Sequence, residues 1–318
     1  MSKMNEYHPS KFHGIWALTK RELKKWLKEP IILLMAILQP ILWMGLFGKA
    51  MNIDNMSASA NFGNINMPNL TLPGSYATPP VTGYITIPGS QISAMFQQAL
   101  ANIGPNAMQN IFGVKDYFSY MSVGMISFIV MFTTMFSGMS IVWDRRLGFL
   151  NKVLSTPVSR GAIIFSKVLN AGLRSMFQAT IILILAVIFG LQVSSTFTPL
   201  NIFGVYAAIF LLSVGLSSVF LALALRSTRQ ETQMAIVNLI NLPLMFASNS
   251  LFPISMMPDW IQVIVRVNPV SYLTDALRQL VILPLDSSLL MFDLTYLSIF
   301  AVVFSFIGIA LSWRFLTK

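Results

Sequence analysis

Few side chains in this sequence are equipped for chemistry, and their scarcity restricts what the chain can do. It has no cysteine, which excludes disulfides, thiolate metal sites and cysteine nucleophiles. Its two histidines, His8 and His13, both precede the first long apolar run, so a histidine metal site or proton relay within the apolar part is excluded. A G-x-x-x-x-G-K-[ST] phosphate loop is missing. Gly48-Lys49 lacks both the upstream glycine and the following Ser or Thr, and neither H-E-x-x-H nor G-x-S-x-G occurs. The polar residues inside apolar runs (Gln178, Gln233, Asn238 and Asn241) are neutral, and the acids nearest such runs (Asp275, Asp286 and Asp293) lie at or near their outer ends. Asp275 has a local partner in Arg278, three residues on. An ion-coupled carrier generally needs an ionisable group within the membrane. These residues therefore describe a pathway without its own motor: no enzyme, no metal and no cofactor in the chain itself.

The densest patterned stretch is Asp144 to Arg160, DRRLGFLNKVLSTPVSR, a polar island between two apolar runs that carries four of the 21 Lys and Arg residues. With Asp144 capping a helix, where an acid suits the dipole, Leu147, Leu150 and Leu154 fall at i, i+3 and i+7 and share a face. Arg145, Arg146 and Lys152 then point elsewhere, Gly148 lies within the segment, and Pro157 ends it. A short surface helix with a leucine face and basic flanks is a docking plug for a soluble partner. The alternative is a basic loop whose leucines rest on lipid headgroups.

The elements that must position this island are membrane-spanning. The chain is 55% apolar and 10% charged, against about 25% charged in a typical soluble domain, and the long uncharged runs place it in the membrane class. No cleavable signal peptide is apparent. Residues 10–29 read as an amphipathic helix with Phe12, Ile15, Trp16, Thr19, Leu23, Trp26 and Leu27 on one face and lysines on the other. This suits the headgroup region of an anionic leaflet, or a helix packed on another protein. Spans follow at about Ile31–Phe47, with Pro40 and Gly45 suggesting a kink, then Tyr117–Val142, Leu173–Gln192, Asn201–Leu225, Thr232–Leu251 and Leu289–Trp313. Lys167 and Arg174 near the start of the third are expected to snorkel. Residues 48–116 form a long loop with few charges, containing a short helix over Gln91–Ile103 and two glycosylation-type matches at Asn55 and Asn69. Prolines 253, 258, 269 and 284 cut residues 252–286 into short helices, Asp259–Val267 and Val270–Leu283. Irregular backbone at membrane depth must be buried or face water, so a re-entrant pair is the natural arrangement.

Charge tests the topology. With both termini, the Asp144 island and the Arg226 loop inside, those four segments hold 7, 2, 6 and 2 of the 21 Lys and Arg in the order N-terminus, C-terminus, island, loop, and the acids show no such bias. That is the positive-inside pattern, and it removes the nucleic-acid reading of the net charge of +10. The expected fold class is an all-α polytopic membrane protein. It has an N-terminal amphipathic interface helix over 1–30 and a permease domain over 31–318 with six transmembrane helices, a re-entrant helix pair lying between spans five and six.

The segment DRRLGFLNKVLSTPVSRGAIIFSK resembles the D-R-x-x-G-x-L-x-x-L-x-x-T-P-V-x-R element of type-two ABC exporter permeases. NLPLMFASNSLFPISMMPDWIQVIVRVNPVSYLTDALR, Asn241 to Arg278, is similar to that family's L-P-x-x-F-x-S-x-x-F-P, P-x-W and N-P series ending in D-x-x-R. The opening KREL with Glu29-Pro30 and the ending Leu46-Phe47-Gly48 are also similar, so the likeness covers nearly the whole chain outside 48–116. Val123-Gly124 departs from the family's frequent Pro-Gly.

The resemblance implies a plasma-membrane permease working as a dimer, as a homodimer here, over two copies of an ABC ATPase subunit that binds ATP and Mg. It implies that residues 144–156 are a coupling helix seated in the ATPase, and that the N-terminal helix, with Trp16, Arg21 and Trp26, is a connecting helix. Phe252, Pro253, Trp260, Asn268 and Pro269 would form an outer gate. Spans two and five would line the path through Met125, Phe128, Phe132, Met135, Met234, Asn238, Asn241 and Met245. The methionines would make it adaptable, although the same residues could face lipid or a neighbouring helix. The expected function is ATP-driven export of a hydrophobic or amphipathic drug, antibiotic or lipid. The alternatives are an ion-gradient-driven carrier and a non-transporting membrane scaffold.

Overall fold

The computed structural model describes residues 11–50, 68–73, 84–95, 98, 109, 112–156, 158–226 and 229–316. The amphipathic segment forms α1, Lys11–Leu27, and Pro30 at a first helical position starts α2, Pro30–Trp43. Pro40 sits inside α2, and the helix continues as a π-helical stretch, Met44–Ala50. A proline that removes one rung of the hydrogen-bond ladder is the expected cause of such a distortion. In the following loop a small antiparallel hairpin joins β1, Leu70–Pro73, to β2, Tyr84–Ile87. Residues 89–95 are helical, and the side-chain oxygen of Asn69 accepts from the Gly89 amide at 2.8 Å. Asn55 and most of the predicted Gln91–Ile103 helix lie outside the described residues.

Two long helices bracket the polar island. The first, α3, spans Tyr117–Arg146 and is capped by Asp116, whose carboxylate accepts from the Ser119 amide at 2.9 Å. A short helix, α4, spans Phe149–Leu154, and α5 spans Arg160–Ile188 with Ser159 as its cap. Helix α5 therefore begins at Arg160, well before the expected Leu173. Polar residues including Lys167 and Arg174 are helical from the start, because their polar atoms find partners within the protein. The chain continues as α6, Pro199–Arg226, then α7, Gln230–Phe246. A 3₁₀ turn at Ile254–Met256 leads to α8, Asp259–Val265, then α9, Pro269–Val281, and α10, Ser287–Leu316. The proline-punctuated region thus forms two short helices, each opening just after a proline or at one.

Among the described residues four helices are long and apolar enough to cross a membrane: α3, α5, α6 and α10. Helix α7, at 17 residues, and the distorted α2 are shorter. Helix α6 is the hub and packs against α3, α5, α9 and α10. Close crossings are made at glycines, as expected where dispersion rather than water expulsion drives helix association. A Cβ on Gly138 of α3 would lie 2.6 Å from Phe220 of α6, and one on Gly308 of α10 would lie 2.7 Å from the Ser218 carbonyl of α6. Helix α7 is the most loosely held of the longer helices, with its main contacts to α3.

Candidate functional site

The polar island is built differently from its sequence pattern. Asp144 does not cap a helix; it lies in the last turn of α3, 3% exposed. Gly148 adopts φ +70°, a left-handed conformation that favours glycine, and this turn separates α3 from α4. The three leucines consequently do not share a face. Leu147 caps the end of α3 and is 69% exposed, whereas Leu150, at 4%, packs with Val153, Ile163, Ile164 and Leu225 in a small core beneath the helix. Leu154 is half-buried against the same core. What α4 and its flanks present outward is Arg146, Leu147, Asn151, Lys152, Ser155 and Thr156. Arg145 is turned inward, its guanidinium donating to the Leu225 carbonyl at 2.9 Å and so tying α3 to the end of α6. Pro157 lies outside the described residues.

Beneath this surface is a buried ionic network that the sequence pattern concealed. The Lys167 ammonium donates to Asp144, to Glu22 Oε1 at 3.0 Å and to the Ser140 hydroxyl at 3.1 Å. Glu22 is 4% exposed and Lys167 6%. Arg174 adds a bond to the Glu22 carbonyl at 3.0 Å and an ion pair with its carboxylate at 3.9 Å. Burial alone would push the Glu22 carboxyl up, but Lys167 above all, with Arg174 and Arg21, outweighs it and holds the group below its usual 4.5. The expectation that Lys167 and Arg174 snorkel to an interface is corrected. Both are partnered, and Lys167 joins α1, α3 and α5 in one knot. The clue available in the sequence was an isolated Glu on the apolar side of α1, three residues after Thr19 and four before Trp26, both of which are also buried.

Of the predicted connecting-helix residues, Trp26 is buried and meets Phe177 edge-on at a ring distance of 5.6 Å, with the Arg174 guanidinium 5.4 Å from its ring. Arg21 stacks 3.4 Å from the Phe149 ring, a direct contact between α1 and α4. Trp16 is 59% exposed.

The predicted pathway divides. Met125, Phe128 and Met135 on α3 are buried in the main core with Phe132 packed against it, so within one chain they line no open route. Asn241 is buried too, its amide nitrogen 3.0 Å from the Met135 sulfur. Met245 is half-buried, and Met234 and Asn238 are exposed on the outer side of α7. The predicted gate also divides. Phe252 and Trp260 are exposed, while Asn268 and Pro269 are buried and structural. Asn268 caps α9 by accepting from the Val270 amide at 2.9 Å and donates to the Leu244 and Ala247 carbonyls at 2.8 and 2.6 Å.

Close by, Arg278 is the centre of a second buried polar cluster. It donates to the Asn249 and Ser250 carbonyls, each at 2.9 Å, and lies 3.5 Å from the Tyr120 ring. Asn249 in turn donates to Asp275 at 2.6 Å. Gly124 makes this possible: a Cβ there would lie 2.0 Å from the Ser250 carbonyl oxygen. The same 30-residue helix, α3, therefore carries the ionic knot at one end and the Arg278 cluster toward the other.

The model for the ABC-2 type transporter family matches residues 13–282, which include α1, the island and both short helices α8 and α9. A putative transport permease, ycf38, of Cyanophora paradoxa is 27% identical over 83% of this chain and 72% of its own length, and that of Porphyra purpurea is 34% identical over 54% and 59%. The daunorubicin resistance ABC transporter permease protein DrrB1 of Streptomyces coeruleorubidus is 24% identical over 52% of this chain and 58% of its own. The matched segment thus spans between about half and three quarters of these relatives. On the family match across most of its length, the chain belongs to the ABC-2 type transporter family.

Proposed function

We propose that the chain is the transmembrane subunit of an ATP-driven exporter that moves a hydrophobic or amphipathic compound outward from the cytoplasmic side. Two copies of the chain would sit over two copies of a separate ATPase, which supplies the ATP and Mg chemistry. The observation that carries this reading is the mounting of α4. The turn before it offers Leu147 beside Arg146 and Lys152, while Leu150 and Arg21 hold α4 to its neighbours and the Glu22–Lys167–Asp144 knot joins α1, α3 and α5 beneath it. A push on that surface is delivered to α3 without slack, and α3 leads to the Arg278 cluster and the short helices beyond. The route itself would form between two copies, at the exposed side of α7 that holds Met234, Asn238, Leu239 and Leu242. An Asn amide facing lipid without a partner is unfavourable. Six spans, counting α2 and α7, with both termini cytoplasmic, complete the arrangement.

Purification of a tagged chain from its host tests this. The expected result is capture of a chain bearing a G-x-x-x-x-G-K-[ST] motif whose ATP hydrolysis is coupled to transport, and loss of that capture in Leu147→Asp. Leu150→Asp should instead damage the fold. If the folded wild type brings down no such ATPase, or Leu147→Asp leaves coupling intact, the reading fails.

A second reading has one specific support. Asp293 in α10 is buried, bonded by the Gln279 amide at 3.0 Å, with no Lys or Arg within 4.0 Å among the described residues. Such a group suits an ion-gradient-driven carrier. Transport abolished by a protonophore at constant ATP, and by Asp293→Asn, would favour that reading over export by ATP.

A further inference from the structure

Helix α1 has two unlike sides. Ile15, Leu18, Thr19, Glu22 and Trp26 are turned into the protein, and the Thr19 and Glu22 carbonyls accept from Asn170 and Arg174 of α5. The opposite side is an open basic surface formed by Lys20, Arg21, Lys24, Lys25 and Lys28, with Glu29 at its end. Lys20, Lys24 and Lys28 recur at i, i+4 and i+8 and so form a straight row along the helix, and all three are exposed. Beside this row lie Trp16 and Leu27, 59% and 56% exposed.

The location of this surface relative to the bilayer follows from the helix after it. Lys28 is separated by only Glu29 from α2, whose first turns expose Ile31, at 71%, with Leu34 and Met35. Apolar side chains so exposed on a helix of a membrane protein face hydrocarbon or another chain within the membrane. The boundary between headgroups and hydrocarbon therefore falls at the α1–α2 junction, and the lysine row lies along the headgroup layer. A row of ammonium groups next to an exposed Trp and Leu is the pattern of a helix held at an anionic membrane surface, apolar flank inserted and cations at the phosphates.

We propose that the Lys20–Lys24–Lys28 row is a binding site for the phosphodiester headgroups of anionic phospholipids. The site is not electrically isolated from the rest of the molecule. Arg21, next to Lys20 on the same helix, stacks on Phe149 of α4 and pairs with Glu22 at 3.2 Å, which contacts Lys167. Headgroup occupancy thus bears directly on α4, which follows the outward-facing Leu147. The proposal stands apart from the assignment of an ATPase partner, because lipid binding can be read on the purified chain alone.

The test is native mass spectrometry of the delipidated full chain titrated with phosphatidylglycerol or phosphatidylcholine, for wild type, K20Q/K24Q/K28Q and the charge-matched control K152Q/R160Q/R226Q. Wild type should retain phosphatidylglycerol in preference to phosphatidylcholine, less so as salt is raised. With each lysine near an anionic surface worth about one kcal/mol, the triple variant should lose on the order of a hundredfold in phosphatidylglycerol affinity, and the control little. Equal retention by wild type and triple variant overturns the proposal. So does equal loss in the control, or displacement of the lipid by millimolar inorganic phosphate. It is also overturned if the triple variant keeps its lipid but no longer captures the ATPase, for the lysine row would then belong to that subunit's interface.

Discussion

Replacing Lys167 by methionine tests the ionic knot most directly. The side chain keeps its length and loses its charge, so what changes is chiefly the compensation of two carboxylates. Glu22 and Asp144 are each nearly inaccessible, at 4% and 3%, and both accept from the same ammonium. Removing one partner of a buried pair costs about 3–5 kcal/mol, because the remaining charge stays buried without compensation. Here two charges are left, although Glu22 retains Arg21 at 3.2 Å and Arg174 at 3.9 Å, so Asp144 bears most of the loss. The order of damage is therefore fixed. Lys167→Met should be worst, at about 3–5 kcal/mol. Asp144→Asn and Glu22→Gln should each be milder, since Lys167 keeps the other carboxylate and the new amide oxygen can still accept. In a thermal melt of the detergent-purified chain, followed by the size-exclusion peak of the folded form, Lys167→Met should lower the midpoint by roughly 10 °C. The double variant Glu22→Gln/Lys167→Met should be less damaging than the sum of its parts, the sign of coupling within one network. If Lys167→Met melts with wild type, or Glu22→Gln is as damaging as Lys167→Met, Lys167 is not the shared partner and the knot does not hold α1 to the bundle.

Acid should loosen the same knot with a defined sign. The Glu22 carboxyl lies below its usual 4.5 in the folded protein, so its contribution is complete above that value and is lost as pH falls through the lower folded one. The stability gap between wild type and Glu22→Gln, measured by melting midpoint against pH, should be constant near neutrality and close below about pH 4.5. Gly124→Ala should destabilise strongly, by about 1–3 kcal/mol or more, because the new methyl meets the Ser250 carbonyl at 2.0 Å. Gly161→Ala, with nothing within 4 Å, should be neutral or slightly stabilising in the same melt. Asn268→Ala should cost more than the typical 1 kcal/mol of a lost helix cap, since it also leaves the Leu244 and Ala247 carbonyls without their donor. A loss no larger than that of a cap alone would show that Asn268 does not clamp α7 to α9.

The parts of this molecule that were legible in its sequence are those fixed by period and by punctuation. Long apolar runs gave α3, α6 and α10 to within a few residues at most of their ends, and Pro258 and Pro269 marked the starts of α8 and α9, because a proline's lost amide costs least in a first turn. The island was legible as a polar segment but not as a structure. Its leucine spacing assumed one continuous helix, and Gly148, turning at φ +70°, breaks that helix after Leu147. One residue in a left-handed conformation thus separates Leu147 from Leu150, exposing the first and burying the second. The Met and Phe stripe of α3 was a real helical face, yet period alone cannot say what a face meets, and this one meets the chain's own core. Least legible was the charge. Positive-inside counting treats every Lys and Arg as a surface residue, and so placed Lys167 and Arg174 at an interface. A lysine is stable in the interior when acids from other segments converge on it, and the acids that do so, Glu22 and Asp144, lie 145 and 23 residues away in sequence. Helical periodicity does not reach across such distances. That is why the rigid mounting of α4, on which the proposed coupling depends, had to be read from the fold.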